Sequence, residues 1–164
     1  MIIEYCMTHE CVYPPVRANP SDAGLDIYYS PKEQHSTPVK PGESVVLETG
    51  LRFGVPHGYM LEVKNRSSVA AKRSLLVGAC VIDSGYDGEV FINLHNVGNE
   101  TQIVEPGQKI AQIVMVPVVA FRAYCRQDKG LYNYPICMSN RGDGALGSTD
   151  DDQLRLPFII RGTS

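Results

Sequence analysis

The chain has 164 residues, 43% of them hydrophobic, and a formal net charge of −3. That length suits one domain able to bury its own core, and the near-neutral balance supplies no global field toward nucleic acid or an anionic membrane. No apolar run approaches a membrane span. Met1 to Cys11, broken by Glu4, His9 and Glu10, lacks the basic and apolar regions of a secretory signal. The expectation is a soluble intracellular protein of cytoplasm or nucleus, not secreted, with no membrane attachment and no stable nucleic-acid binding.

In chain order the candidate strands are Ile2–Tyr5, Leu25–Tyr29, Ser44–Glu48, Leu51–Val55, Tyr59–Lys64, Leu75–Val77, Val90–Leu94, Gln102–Val104 and Ile110–Val119. Turn signals separate them, among them Lys40-Pro41-Gly42, Pro56-His57-Gly58 and Glu105-Pro106-Gly107. Long helical periodicity is missing, and the one candidate helix is Ser67–Arg73, with Asn65 and Ser67 as candidate caps. Many short strands with frequent turns predict an all-β sandwich or barrel. Ser139 to Asp152 is Gly-rich and polar, reads as a flexible arm, and is not assigned to the core. Leu154 to Ile160 turns apolar again, a strand-like tail suited to its own subunit, a sheet edge or another chain. The reading is a β domain over 1–138, an arm over 139–152 and a tail over 153–164. The five cysteines (Cys6, Cys11, Cys80, Cys125, Cys137) include no C-x-x-C pair and fit scattered reduced thiols. A Cys6–Cys11 metal half-site with His9 would lack a second pair of ligands.

Five local patterns carry chemistry. Asp22-Ala23-Gly24-Leu25-Asp26-Ile27 places a carboxylate at a strand start, a metal contact or an ordinary turn former. Asn65-Arg66-Ser67-Ser68-Val69-Ala70 sets an Arg and two hydroxyls at a helix N-terminus, an anion site or plain capping. Gly78 to Glu89 (GACVIDSGYDGE) predicts a β-hairpin between the runs Leu75–Val77 and Val90–Leu94. Within it Asp83 is set among apolar strand formers and Tyr86 offers a flat face, a frame for a small planar ligand. Taken alone, Asp83 also reads as a turn carboxylate satisfied by local N–H groups. Gln112 interrupts the apolar strand of Pro106 to Val114. Arg141 to Thr149 (RGDGALGST) can wrap phosphate oxygens with amides and hydroxyls, but has no P-loop Lys.

Together, in this order, the stretches AGLDIY, NRSSVA, GACVIDSGYDGE, PGQKIAQIV and RGDGALGST resemble the five motifs of the trimeric dUTPase family, the deoxyuridine triphosphate nucleotidohydrolases. The resemblance spans Ala23 to Thr149 and implies a jelly-roll-like β-sandwich or distorted barrel, a homotrimer, and Mg²⁺-dependent hydrolysis of dUTP to dUMP and pyrophosphate. It places Asp83 as the base that activates water. Tyr86 falls on the ring that excludes a ribose 2′-hydroxyl, and Cys80, Val81 and Ile82 on the hairpin that reads uracil. Phe91 joins them in the substrate site. Arg66, Ser67 and Ser68 fall on phosphate contacts, and Gln112 near phosphate or the attacking water. Arg141, Leu146, Gly147, Ser148 and Thr149 fall on the arm over the β- and γ-phosphates. Asp26 falls on the acid that supports Mg²⁺ through its water shell. In that family the sites lie between subunits.

Departures from the pattern are Leu146 in place of a ring, Asp87 in place of a basic or amide residue, Cys80 in place of a smaller one, and Asp150, Asp151 and Asp152 after the arm. The tail beyond is a candidate surface for an unidentified protein partner. Two rival readings accompany the first. One is a dUTPase-like regulatory or binding protein on the same fold. The other, a dCTP deaminase, fits less well because that chemistry uses a Glu where this hairpin carries Asp83 with Tyr86.

Overall fold

Short apolar alternations fold as eleven strands and one helix within residues 2–127, the part of the chain that the computed structural model describes. In order they are β1 (Glu4–Met7), β2 (Leu25–Tyr28), β3 (Thr37–Val39), β4 (Ser44–Glu48), β5 (Leu51–Gly54), β6 (Tyr59–Lys64), α1 (Ser67–Arg73), β7 (Leu75–Val77), β8 (Val81–Ile82), β9 (Phe91–Asn96), β10 (Gln102–Val104) and β11 (Lys109–Pro117). Through Phe121 the chain is one compact unit; residues 122–127 carry no regular element. The arm over 139–152 and the tail over 153–164 lie outside the described residues.

Four antiparallel sheets share one core. The larger two run β2-β11-β6-β8 and β4-β9-β7, and β1-β5 and β10-β3 form two-stranded ribbons. Inward side chains from every sheet, including Ile27, Leu47, Leu61, Leu94 and Ile113, meet in a single buried cluster. Alternation of buried and exposed positions, clearest in β9, directs them there. The described sheets do not close into a barrel, so the fold is the sandwich form of the expected jelly-roll-like architecture.

The expected hairpin is present, with an unexpected excursion. β7 and β9 pair as its arms, with Val77 opposite Leu94 and Leu75 opposite Asn96. The connection between them leaves that sheet, adds β8 to the edge of the four-stranded sheet opposite β6, and returns.

The helix has the predicted bounds, but its caps differ. The N-cap is Arg66, in extended conformation and without a side-chain cap. Asn65 instead accepts from the Val77 amide through Oδ1 at 2.7 Å, tying the helix entrance to β7. Helix α1 ends at Ser74, whose left-handed backbone (φ 53°) lets its amide reach the carbonyls of Ala70 and Val69.

Candidate active site

The stretch between β8 and β9 builds a cleft. Gly85 takes φ +88°, which a side chain there would resist, and the Tyr86 amide closes the turn onto the Asp83 carbonyl at 3.2 Å. The cleft encloses about 250 Å³ and is lined by Val81, Ile82, Asp83, Tyr86, Glu89, Val90 and Phe91. Whole small-molecule pockets run to roughly 300–1,000 Å³; this one has room for a base and part of a sugar, not a triphosphate as well. Tyr86 and Phe91 are each 47% exposed, so both present ring surface to an incoming ligand. Cys80, assigned to the base-reading hairpin, is exposed and does not line the cleft; its carbonyl accepts from the Val63 amide at 2.8 Å.

A second cluster forms where β2, β11 and the entrance of α1 meet. Asp26 accepts from Arg66 Nε at 2.7 Å and from Lys109 Nζ at 2.8 Å. Gln112, opposite Asp26 in the β2–β11 pairing, donates to the Asn65 carbonyl at 2.9 Å. Gly24 has no room for a Cβ because the Gln112 side chain lies against it. Ser67 and Ser68 stand exposed at the start of α1. Two cations around one carboxylate leave the cluster net positive, suited to phosphate.

Lys109 joins this cluster although nothing in the sequence singled it out. A register shift in β11 between Lys109 and Ala111 leaves Ile110 and Ala111 both buried, so simple alternation fails at the strand start. Bulges of this kind re-aim a side chain, and here Lys109 meets Asp26. The adjacent apolar pair Ile110-Ala111 is the only trace of the bulge in the sequence.

Burial pushes the Asp26 carboxyl up, but the hydrogen bonds from Lys109 and Arg66, with their charges, outweigh it and hold the group below its ordinary value of 3.8. A carboxyl lowered in the folded state stabilises fully above the unfolded-chain value, and loses that contribution as pH falls through the folded one. Asp26→Asn is therefore expected to lower Tm at neutral pH, with the gap from wild type narrowing below about pH 4. A gap unchanged down to about pH 2 would show that the two cations do not act through this charge.

The two clusters are far apart within one chain. Three strand spacings separate β2 from β8 across the sheet. Lys64 lies level with Gln112 and Asp26, whereas Asp83, one residue past Ile82, lies level with Met60. At ordinary strand geometry that is about 14 Å across and about 13 Å along, roughly 19 Å in all. Arg141, Leu146, Gly147, Ser148 and Thr149 lie outside the described residues.

A sequence model of dUTPase matches residues 12–149, a span holding both clusters and the RGDGALGST stretch. The chain belongs to the dUTPase family. It is thereby an enzyme, a nucleotidohydrolase. It is similar to the deoxyuridine 5′-triphosphate nucleotidohydrolase of Chlamydia pneumoniae, 34% identical over 137 residues, which cover 82% of this chain and 89% of that one. The enzyme of the same name from Gloeobacter violaceus is 39% identical over 112 residues, 66% of this chain and 74% of its own. The solved dUTPase of Staphylococcus bacteriophage 80alpha with dUPNHPP shares the fold, with a TM-score of 0.77 at 23% identity over 90% of this chain and 98% of that one. A variant dUTPase from phage phi11 of S. aureus, described with a structural Mg(II) ion, matches with a TM-score of 0.70 at 24% identity over 77% and 97% of the two chains. Among the described residues no helix is long and apolar enough to cross a membrane.

Proposed function

We propose that the chain hydrolyses dUTP to dUMP and pyrophosphate in sites shared between the copies of a homotrimer. The observation that carries this is the cleft: in a dUTPase-family chain it brings an exposed carboxylate, Asp83, beside two exposed rings and the paired backbone of β8. The base and deoxyribose enter there. Asp83 takes a proton from the water that attacks the α-phosphorus, and the bond from that phosphorus to the bridging oxygen breaks to release pyrophosphate. Removing dUTP keeps uracil out of DNA and supplies dUMP for thymidylate synthesis.

The phosphates need cations that the cleft lacks. Arg66, Ser67, Ser68, Lys109 and Gln112 supply polar groups of the right kind, yet Asp26, which Arg66 and Lys109 grip, sits roughly 19 Å from Asp83 by strand geometry. A nucleotide cannot bridge that gap while keeping its α-phosphorus at Asp83. The cluster of a second copy, brought beside the cleft of the first, resolves it, and cyclic symmetry would give three equal sites. In this reading Arg141, Gly147, Ser148 and Thr149 hold the β- and γ-phosphates and Leu146 covers the base.

For Mg²⁺ the donors present fit an indirect role. Among the described residues no three His, Cys, Asp or Glu side chains gather to cage a metal, and both Asp26 oxygens are already partnered. Each carboxylate oxygen keeps a further lone pair, so Asp26 would hold the ion through its water shell while triphosphate oxygens bind it directly. Bound there, Mg²⁺ neutralises phosphate charge. The chain's own task is to keep Asp26 ionised and to orient Arg66 and Lys109.

Turnover across dUTP, dTTP, dCTP and UTP tests the proposal. Pyrophosphate from dUTP, with little from the other three, is the expected result. Ammonia from dCTP would indicate a deaminase, and binding without any product a regulatory protein.

A further inference from the structure

The turn that carries Tyr86 is fastened along its length to a strand of a different sheet. The Gly50 amide, just before β5, donates to the Glu89 carboxylate at 2.8 Å. The Leu51 carbonyl accepts from the Val90 amide at 2.8 Å, and Val55 from Ser84 Oγ at 3.1 Å. Between these ends Arg52 Nε donates to the Asp87 carbonyl at 2.7 Å, while the same guanidinium pairs with the Asp87 carboxylate. Only a guanidinium offers two fixed N–H directions for a main-chain oxygen and a carboxylate at once.

Tyr86 rests on what this strap holds. Its hydroxyl donates to the Glu89 carbonyl at 2.8 Å. Its ring lies against Gly88, where a Cβ would overlap it. Asp87 and Glu89 flank that glycine, and both are gripped from the 50–52 segment.

We infer that Arg52 is a positioning residue for sugar choice: through Asp87 it fixes the floor under Tyr86 and so the width of the cleft available to a 2′-hydroxyl. The inference rests on Tyr86 facing the sugar. It also gives Asp87, which departs from the family pattern, a task specific to this chain. The ion pair is exposed, with Asp87 at 90%, and exposed pairs add little stability. Its loss therefore registers in selectivity before it registers in the fold.

The test compares kcat/KM for dUTP and UTP, with Tm, in the full-length wild type and four variants. Tyr86→Ala gives the largest loss of preference for dUTP. Arg52→Ala lowers the preference by about tenfold, the scale on which a pocket penalises one ill-fitting group, mainly through a lower KM for UTP. Arg52→Lys falls between, since an ammonium reaches one of the two oxygens well. Asp87→Asn keeps most of the preference, because its carbonyl and side-chain oxygen both remain. An Arg52→Ala enzyme with wild-type preference, or one losing the same factor on both nucleotides together with Tm, overturns the positioning role. Unchanged preference in Tyr86→Ala instead removes Tyr86 from the sugar, and the inference falls with that premise.

Discussion

Asp83→Asn is expected to stop turnover while leaving nucleotide bound. Asn fills nearly the same space but is uncharged, turns one acceptor oxygen into an NH2 donor and cannot take the proton. General-base assistance is worth about 10²–10⁴-fold, and kcat should fall by that much. Affinity should barely change, because the residues assigned to base, sugar and phosphate are all elsewhere. The carboxylate is exposed and lines the cleft, within reach of water and of a bound nucleotide. Single-turnover hydrolysis and titration with a non-hydrolysable dUTP analogue check the two halves. A kcat within a few-fold of wild type would remove Asp83 from the chemistry.

The second large effect concerns how sites are shared. Asp83→Asn and Arg66→Ala should each be nearly inactive as pure proteins. If one copy supplies the cleft and another the phosphate cluster, refolding the two variants together creates some sites that carry both native residues. Random mixing in equal amounts makes about a quarter of the sites intact in a cyclic trimer, so activity should return to about that share of wild type. Mixing the folded trimers without exchange should restore nothing. Failure of the co-refolded mixture, with light scattering still showing trimers, would mean that both residues act within one chain or that sites do not combine as proposed.

Much of the fold was legible because burial and turn chemistry coincide in this chain. β4, β6, β7, β10 and α1 have the expected bounds. β1 begins two residues later than its apolar start, and all four of its residues are exposed, so no alternation marked it. β3 was missed: Pro38 stands at its centre, tolerated in a three-residue strand that pairs on one side only. β9 runs past Leu94 to Asn96, a buried polar residue that hydropathy reads as a strand end. Its amide nitrogen donates to the Val39 and Glu100 carbonyls, both at 2.8 Å. In the site, local composition leaves Asp83 and Asp26 open between chemistry and turn formation, and their roles and that of Tyr86 come with the family resemblance, whereas the place of Lys109 beside Asp26 depends on a bulge. The strap could not be read at all, since Arg52 and Asp87 lie 35 residues apart and each looks like an ordinary surface charge.

The crossing of the 78–90 connection from one sheet to the other and back has a consequence for endurance. Binding loops commonly belong to the least stable part of a protein and open on their own long before the core does. Here the loop contributes Ile82 to the shared core and closes the edge of the four-stranded sheet, while its two arms hold the other sheet together. Unpairing β8 uncovers Ile82, so amide exchange in β8 should be slower than in the exposed turn over residues 83–87. Within the described residues, loss of the β8 pairing on heating is expected to coincide with loss of the core it covers.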